Sequence, residues 1–335
     1  MIELVVSMGD PAGIGPEVVV RALARLGEEM RRRVLVAGEA AWLRRVAERL
    51  GEPARELDFF EVAAAEIAAG NFAADGRVAV CNPLGEPLPE LPLGRDYAVF
   101  GEASFRYVES GVDLVRRGLA GALVTAPISK HAWHLAGHNF PGHTELLREL
   151  DGGPEVGMMF WGERLKVLLA TTHLPLAGVA GALTPELVAG KVKLLHRFLR
   201  RVGRDGKIGL AALNPHAGEQ GAFGDEEERI LAPALENLRA AGVPVVGPVP
   251  ADVLFHQALA GRYAAVVALY HDQGLVPFKM LHFDDGVNLT LGLSFIRTSV
   301  DHGTAFDISD KFTADSRSLE SAIKLALELQ EGKPD

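Results

Sequence analysis

The chain of 335 residues contains a single cysteine, Cys81. No internal disulfide framework can form, which fits a reducing compartment, and Cys81 reads as a buried, inert thiol. Positive charge is also scarce: 34 Lys and Arg face 44 Asp and Glu, for a formal net charge of -10. That balance leaves no basic footprint for nucleic acid or an anionic membrane surface, so anions must be held by a few placed cations and backbone N–H groups. Long apolar runs are missing. The longest weakly charged stretch, His173 to Pro185, is broken by Pro and Gly and is too short to span a bilayer. The opening MIELVVSMGDP has no basic leader and soon reaches a charged turn, so it reads as a strand rather than a signal peptide, and a cytoplasmic location is expected. Asn and Gln together number ten, and Arg outnumbers Lys 25 to 9. A thermophilic source and a GC-rich genome would each produce that bias.

What remains is ordinary globular composition, with 48% hydrophobic and 23% charged residues. A chain this long exceeds the size at which single cores stop growing, so two lobes with a cleft between them are expected. Short apolar runs alternate with segments of helical period, the pattern of βαβ units around a mostly parallel sheet. Strands are predicted at 3–7, 34–37, 77–80, 122–125, 166–170, 208–213 and 264–269. Helices are predicted at 16–26, 40–50, 103–117, 185–201 and 225–241, with Pro16 and Pro185 in first-turn positions where a missing N–H costs nothing. Leu319, Ala322, Ile323, Ala326 and Leu327 recur at three-to-four spacing, which predicts a closing amphipathic helix.

The chemistry is signalled by position. Three predicted strands run out into histidine: KVLLATTH at His173, KIGLAALNPH at His216 and AAVVALYH at His271. Ligands of open α/β sheets bind beyond the carboxyl ends of strands, and three neutral imidazoles suit a divalent metal, zinc above all. The spacing is far less diagnostic than an HExxH helix, and a histidine at a strand end can equally cap a loop carbonyl. A fourth strand, GALVTAPISK, leads to Thr125 and Lys130, and the loop FPGHTE supplies His143, Thr144 and Glu145. After His271, Lys279, Asn288 and Arg297 follow at nine-residue intervals in a run rich in Gly, Asp and Thr; the guanidinium of Arg297 suits a carboxylate or phosphate. The N-terminal turn, GDPAGIGPE, lacks the third glycine of a dinucleotide fingerprint and carries two prolines, so it reads as a structural turn. Gly303 to Asp307, preceded by Asp301 and His302, is the better candidate for wrapping a cofactor.

Taken in order, GDPAGIGPE, TAPISK, PGHTE, TTHLPL, NPHAGE, PADVLF, YHDQG and GVNLTLGLSFIRTSVDHGTAFD resemble the 4-hydroxythreonine-4-phosphate dehydrogenase family of pyridoxal phosphate biosynthesis. The resemblance runs from Gly9 to about residue 310. It implies a two-lobed isocitrate and isopropylmalate dehydrogenase-like α/β fold with an interdomain active-site cleft. One lobe would take 1–128 with 266–335 and carry the cofactor loop; the other, 129–265, would form the interface of a homodimer sharing its active site. By the same resemblance His173, His216 and His271 bind one divalent metal (Zn, Mg or Co), with His173 reaching across the dimer. Substrate contacts fall on His143, Thr144, Lys279, Asn288 and Arg297, and Lys279 and Asp252 are the catalytic candidates. NAD, or else NADP, would lie on Asp301, His302, Gly303, Thr304 and Asp307. The implied reaction oxidises 4-phosphooxy-L-threonine at C3 and decarboxylates the product to 3-amino-2-oxopropyl phosphate. A threonate or erythronate phosphate, or a cyclic dihydrodiol, is an alternative substrate within the family, and a metal-dependent hydrolase is the reading from another class. One departure stands out: Ser309-Asp310 replaces the usual Ala-Gly after HGTAFDI, which puts an acidic residue near the cofactor loop.

Overall fold

The computed structural model describes residues 2–69 and 76–331. It divides into two compact units, the first built from Met1–Pro154 and Leu293–Glu331, the second from Glu155–Gly292. Both crossings lie further along the chain than the sequence suggests. The segment after residue 128 stays with the first unit because Trp133, fully buried, donates its indole N–H to Ser104 Oγ at 2.9 Å and meets Phe105 edge-on at 5.6 Å. The segment after residue 265 stays with the second unit because its strand lies inside that unit's sheet.

The first unit contains strands β1 (Leu4–Ser7), β2 (Val34–Ala37), β3 (Phe59–Glu61), β4 (Val78–Cys81), β5 (Ala122–Thr125) and β12 (Ile296–Ser299). They run parallel in the order β3-β4-β2-β1-β5-β12. Its helices are α1 (Gly15–Arg25), α2 (Glu28–Arg31), α3 (Ala40–Leu50), α4 (Ala64–Ala69), α5 (Ala98–Arg116), α6 (Lys130–Leu135), α7 (His143–Leu150) and α13 (Arg317–Glu331). Every residue of β1, β2, β4, β5 and β12 is buried. Strands without an exposed face need cover on both sides of the sheet, which is why all of these but β12, IRTS, read as runs rich in Val, Leu and Ala. Helices α5 and α13 supply part of that cover, α5 over β1 and β5, and α13 over β5 and β12.

The second unit contains β6 (Gly157–Trp161), β7 (Lys166–Leu169), β8 (Ile208–Ala211), β9 (Val245–Val249), β10 (Ala265–Ala268) and β11 (Val287–Leu291), in the order β11-β6-β7-β10-β8-β9. Strands β7, β10, β8 and β9 are parallel, and β6 runs antiparallel to both its neighbours. Helices α8 (Leu176–Ala182), α9 (Pro185–Arg201), α10 (Ala232–Ala240), α11 (Ala251–Leu259) and α12 (His271–His282) complete it. Its core gathers Val167, Leu169, Val266, Ala268, Leu254 and Phe278. Among the described residues no helix is long and apolar enough to cross a membrane.

All seven predicted strands are present within one or two residues of their predicted ends. Strands β3, β6, β9, β11 and β12 were not predicted. Strand β9 contains Gly247-Pro248, a turn signal, and β12 is only IRTS, whose burial is imposed by its parallel partner β5. The helix predicted at 225–241 opens with a π-turn, Glu227–Leu231, before α10.

Candidate active site

The second unit explains why three strands end in histidine. Strands β7, β10 and β8 are parallel neighbours, so the loops after them leave the same edge of the sheet. Hydrogen bonds lace that edge together. Thr171 Oγ1 donates to the Leu269 carbonyl at 2.7 Å. The buried Gln273 accepts from Leu269 N–H at 2.7 Å and donates from Nε2 to the Ala212 carbonyl at 2.7 Å, tying the end of β10 to the end of β8. Each bond satisfies a backbone group that the sheet ladder leaves behind. His173 and His271 lie side by side with ring centroids 5.7 Å apart. His271 opens α12, and its Nδ1 lies 2.7 Å from Asp272 Oδ1.

His216 sits in a loop of unusual backbone. His216, Ala217, Glu219 and Gln220 all take left-handed conformations, with φ of 52°, 54°, 41° and 55°. Such a conformation costs about 1–2 kcal/mol for each side-chain-bearing residue, so something must hold it. Glu227, buried in the π-turn, does so: one carboxylate oxygen accepts the N–H groups of Leu213 and Asn214, both at 2.8 Å, and the other accepts Asn214 Nδ2 at 2.9 Å. Gly218 packs onto that carboxylate, where an added Cβ would come within 2.8 Å of Oε2. Asp252, in the first turn of α11, follows β9, whose Val249 carbonyl accepts Ala212 N–H at 2.8 Å, so its loop leaves beside that of His216. Lys279 lies two turns into α12 and Asn288 on β11 opposite Phe160; both are half-buried. Among the described residues no group of three His, Cys, Asp or Glu converges closely enough to hold a metal ion within one chain.

In the first unit the strand ends place hydroxyls in a row. Ser7 of β1 stands opposite Thr125 of β5, which stands opposite Ser299 of β12. Arg297 is buried beneath this edge and donates from Nη2 to Thr125 Oγ1 at 2.5 Å. Burial lowers its guanidinium to about 9, so it remains cationic at neutral pH. His143 begins α7 against Trp133, ring centroids 5.6 Å apart, and its shielded Nε2 has no hydrogen-bond partner. Burial, and after it the charges of Arg297 and Lys130, hold this imidazole well below its usual value, which keeps it neutral. Thr144 follows in the same turn. Arg297 and Lys130 therefore set two positive charges around His143, with the Thr144 hydroxyl in the same turn, a chemistry that suits an anion.

The segment Asp301–Asp307 follows β12, again at a carboxyl strand end, and docks on the N-terminal turn. Ile14 N–H donates to the Thr304 carbonyl at 2.9 Å, and an added Cβ on Gly13 would lie 2.9 Å from Thr304 Cβ. Gly13 thus permits the close approach, which is the structural use expected for GDPAGIGPE. Glu17 accepts Ala314 N–H at 2.9 Å and Arg21 Nε at 2.8 Å, and Arg21 donates to the Phe312 carbonyl at 2.5 Å, so α1 also anchors the exit of the segment. Ser309 is buried, donating to the Phe306 carbonyl at 3.2 Å, and Asp310 is exposed. The Ser-Asp departure therefore staples the segment with one residue and turns the acid to solvent.

Sequence reasoning missed Glu227, Gln273, Thr171 and Asn214, which position the histidine loops without carrying reactive chemistry. Asn214, Thr171 and Gln273 had a visible signal, as parts of NPHAGE, TTHLPL and YHDQG; Glu227 had none.

Residues 29–326 match the family described as pyridoxal phosphate biosynthetic protein PdxA. D-threonate 4-phosphate dehydrogenase of Salmonella typhimurium is 44% identical over 97% of this chain and 98% of its own. 4-Hydroxythreonine-4-phosphate dehydrogenase of Geobacter metallireducens is 43% identical over 97% of this chain and 95% of its own. The crystal structure of 4-hydroxythreonine-4-phosphate dehydrogenase from Klebsiella pneumoniae superposes with a TM-score of 0.88 at 41% identity, covering 98% of this chain and 100% of that one. A β-decarboxylating dehydrogenase from Thermococcus kodakarensis, 13% identical with a TM-score of 0.52 over 99% of this chain and 84% of that one, shares the fold.

Proposed function

The chain belongs to the PdxA family of pyridoxal phosphate biosynthetic proteins, and we propose that it is an NAD-dependent dehydrogenase that oxidises 4-phosphooxy-L-threonine at its C3 hydroxyl. The resulting β-keto acid then loses CO₂ to leave 3-amino-2-oxopropyl phosphate. D-threonate 4-phosphate is the second candidate substrate, on the strength of the Salmonella relative's name. The observation that carries the reading is that three histidine-bearing loops leave one edge of β7, β10 and β8.

The donor set fits a divalent ion. Two imidazoles on one zinc, at the usual Zn–N distance of about 2.0 Å, hold their ring centroids roughly 5 Å apart. The 5.7 Å between His173 and His271 is close to that, and His216, in the loop after β8, would be the third ligand; since no three such residues converge within one chain among the described residues, the set would be shared between two subunits. The reading thus keeps the ligand set shared across a dimer, as the family resemblance implies. When bound, the ion would supply Lewis acidity and NAD would supply the hydride acceptor.

The chain's own residues do the rest. Arg297 neutralises an anionic end of the substrate, while neutral His143 offers a hydrogen bond without a competing charge. Thr144 adds a hydroxyl beside it, and Lys279 and Asn288 are the further substrate contacts. Asp252 takes the hydroxyl proton. Asp301, His302, Gly303, Thr304 and Asp307 cradle the dinucleotide on a segment already fixed by Gly13 and Ile14. Exposed Leu174 and Leu176 adjoin His173, and Val276 and Met280 of α12, with Phe283 just after it, are 57%, 82% and 77% exposed. Apolar surface of that kind supports a homodimer whose interface borders the metal site. A cytoplasmic location follows from the same biosynthetic role.

The test compares the two phosphorylated acids at one NAD concentration, with and without chelator. NADH formation that disappears on chelation and returns with metal is expected, and His216→Ala should lose metal and activity together. Full turnover by metal-free protein would sink the proposal.

A further inference from the structure

Lys130 has no place in the reaction as set out above, yet its position is closely controlled. It is the first residue of α6, whose N-cap Ser129 accepts Ala132 N–H at 3.1 Å and is itself hydrogen-bonded to Asp96. The end of its side chain runs along Gly142: an added Cβ there would lie 3.4 Å from Lys130 Cε and 3.9 Å from Nζ. The end of the Lys130 side chain is thus in contact distance of Gly142, which immediately precedes His143. Among the described residues the ammonium makes no hydrogen bond or ion pair. Glu145 Oε2 lies 3.6 Å from the same point on Gly142, without pairing to it.

Three further features converge here. Gly142 is the N-cap of the eight-residue helix α7 and offers no side-chain cap, so the first-turn N–H groups are open to an external acceptor. His143 Nε2 is shielded from solvent and without a partner. Arg297, buried in β12, is near enough that its charge, like that of Lys130, adds to burial in keeping His143 neutral.

We propose that Lys130 holds the phosphate end of the substrate, as a positioning residue that acts together with Arg297, His143 and the first turn of α7. The inference rests on the dehydrogenase reading for the identity of the substrate, but the phosphate subsite stands on this geometry. A carboxylate is a single charge that Arg297 alone can match with a two-pronged contact. A phosphate monoester carries nearly two charges and three acceptor oxygens, and so calls for a second cation and additional N–H donors. Lys130 is suited to the task because an ammonium on a flexible stem acts as a point charge that follows the phosphate.

The test uses the full-length protein and inorganic phosphate as the probe. The imidazole signal of His143, assigned by its loss in His143→Asn, is followed by NMR during a phosphate titration. Lys130→Met should weaken phosphate binding by about tenfold or more, the typical effect of losing one charge-assisted contact, and should raise the pH at which His143 titrates. Lys130→Arg should restore most of the binding, which separates loss of charge from damage to the fold. In turnover, Lys130→Met should raise KM for the phosphorylated substrate while changing kcat far less. Unchanged phosphate affinity and unchanged His143 titration in Lys130→Met would overturn the proposal. So would an equal loss of phosphate binding in Glu145→Gln, since Lys130 would then be serving as that carboxylate's partner. Phosphate binding is read without turnover, so failure to oxidise either substrate would refute the dehydrogenase reading and leave this inference standing.

Discussion

Replacing Glu227 by Gln tests whether the His216 loop is preorganised or merely present. The carboxylate gathers three hydrogen bonds, from Leu213 N–H, Asn214 N–H and Asn214 Nδ2. The amide can keep its oxygen toward the two backbone donors. Its NH₂ then faces Asn214 Nδ2, donor against donor, and the charge is gone. A hydrogen bond to a charged group contributes about 1.5–3 kcal/mol. Losing one should therefore shift the loop equilibrium by roughly 10- to 150-fold, and the four left-handed residues at 216, 217, 219 and 220 give the released loop every reason to relax. If metal binding requires the ordered loop, affinity falls by the same factor. Hydrogen exchange over residues 213–220 and a competitive zinc titration measure the two sides of that link. Faster exchange with weaker zinc binding is expected. Native exchange and native zinc affinity in Glu227→Gln would refute the reasoning, and faster exchange with native affinity would show that the ion itself orders the loop.

Two other outcomes follow from buried and exposed groups. Burial, reinforced by the charge of Asp96, pushes the Asp10 carboxyl up to about 7, although Ala12 N–H and Ser129 N–H pull the other way. Its folded pKa thus exceeds the unfolded value of about 3.9, so the stability it contributes is full below that value and is lost as pH rises to about 7, a swing of up to ~4 kcal/mol. Asp10→Asn retains an acceptor for Ala12 N–H and should raise Tm more at pH 8 than at pH 4.5; equal shifts in calorimetry would contradict this. Separately, the double change Met280→Glu and Phe283→Glu places charges in the exposed apolar surface at the end of α12 and should convert a dimer to monomers in sedimentation. A monomeric parent protein, or an unaltered dimer, would remove that surface from the interface.

Much of the fold was legible because parallel strands buried on both faces must be runs of Val, Leu and Ala, and such runs stand out between amphipathic helices. The strands at 34–37 and 122–125 and the helices at 40–50 and 185–201 were located to the residue for that reason. Strands β6, β11 and β12 were not, because each depends on a partner far away in sequence. GMMFW becomes a strand only between VNLTL and KVLL, and IRTS only beside ALVT. The unit boundaries escaped for a similar reason. Nothing local to Trp133 says that it will pack on Ser104 and Phe105 and carry α6 into the first unit.

The candidate site divides the same way. By itself the sequence determined that three strands would end in histidine and that Arg297 and His143 stood in motifs fit for an anion, since reactive side chains advertise themselves by type and by their place after an apolar run. Only the tertiary structure decided that β7, β10 and β8 are neighbours, which sets His173 beside His271, and that Arg297, Lys130 and His143 converge. It also decided that Glu227, Gln273 and Thr171 tie the histidine loops in place. Their work is hydrogen bonding to backbone groups, any carboxylate, amide or hydroxyl can in principle do it, and which one does is settled by strand order and loop path.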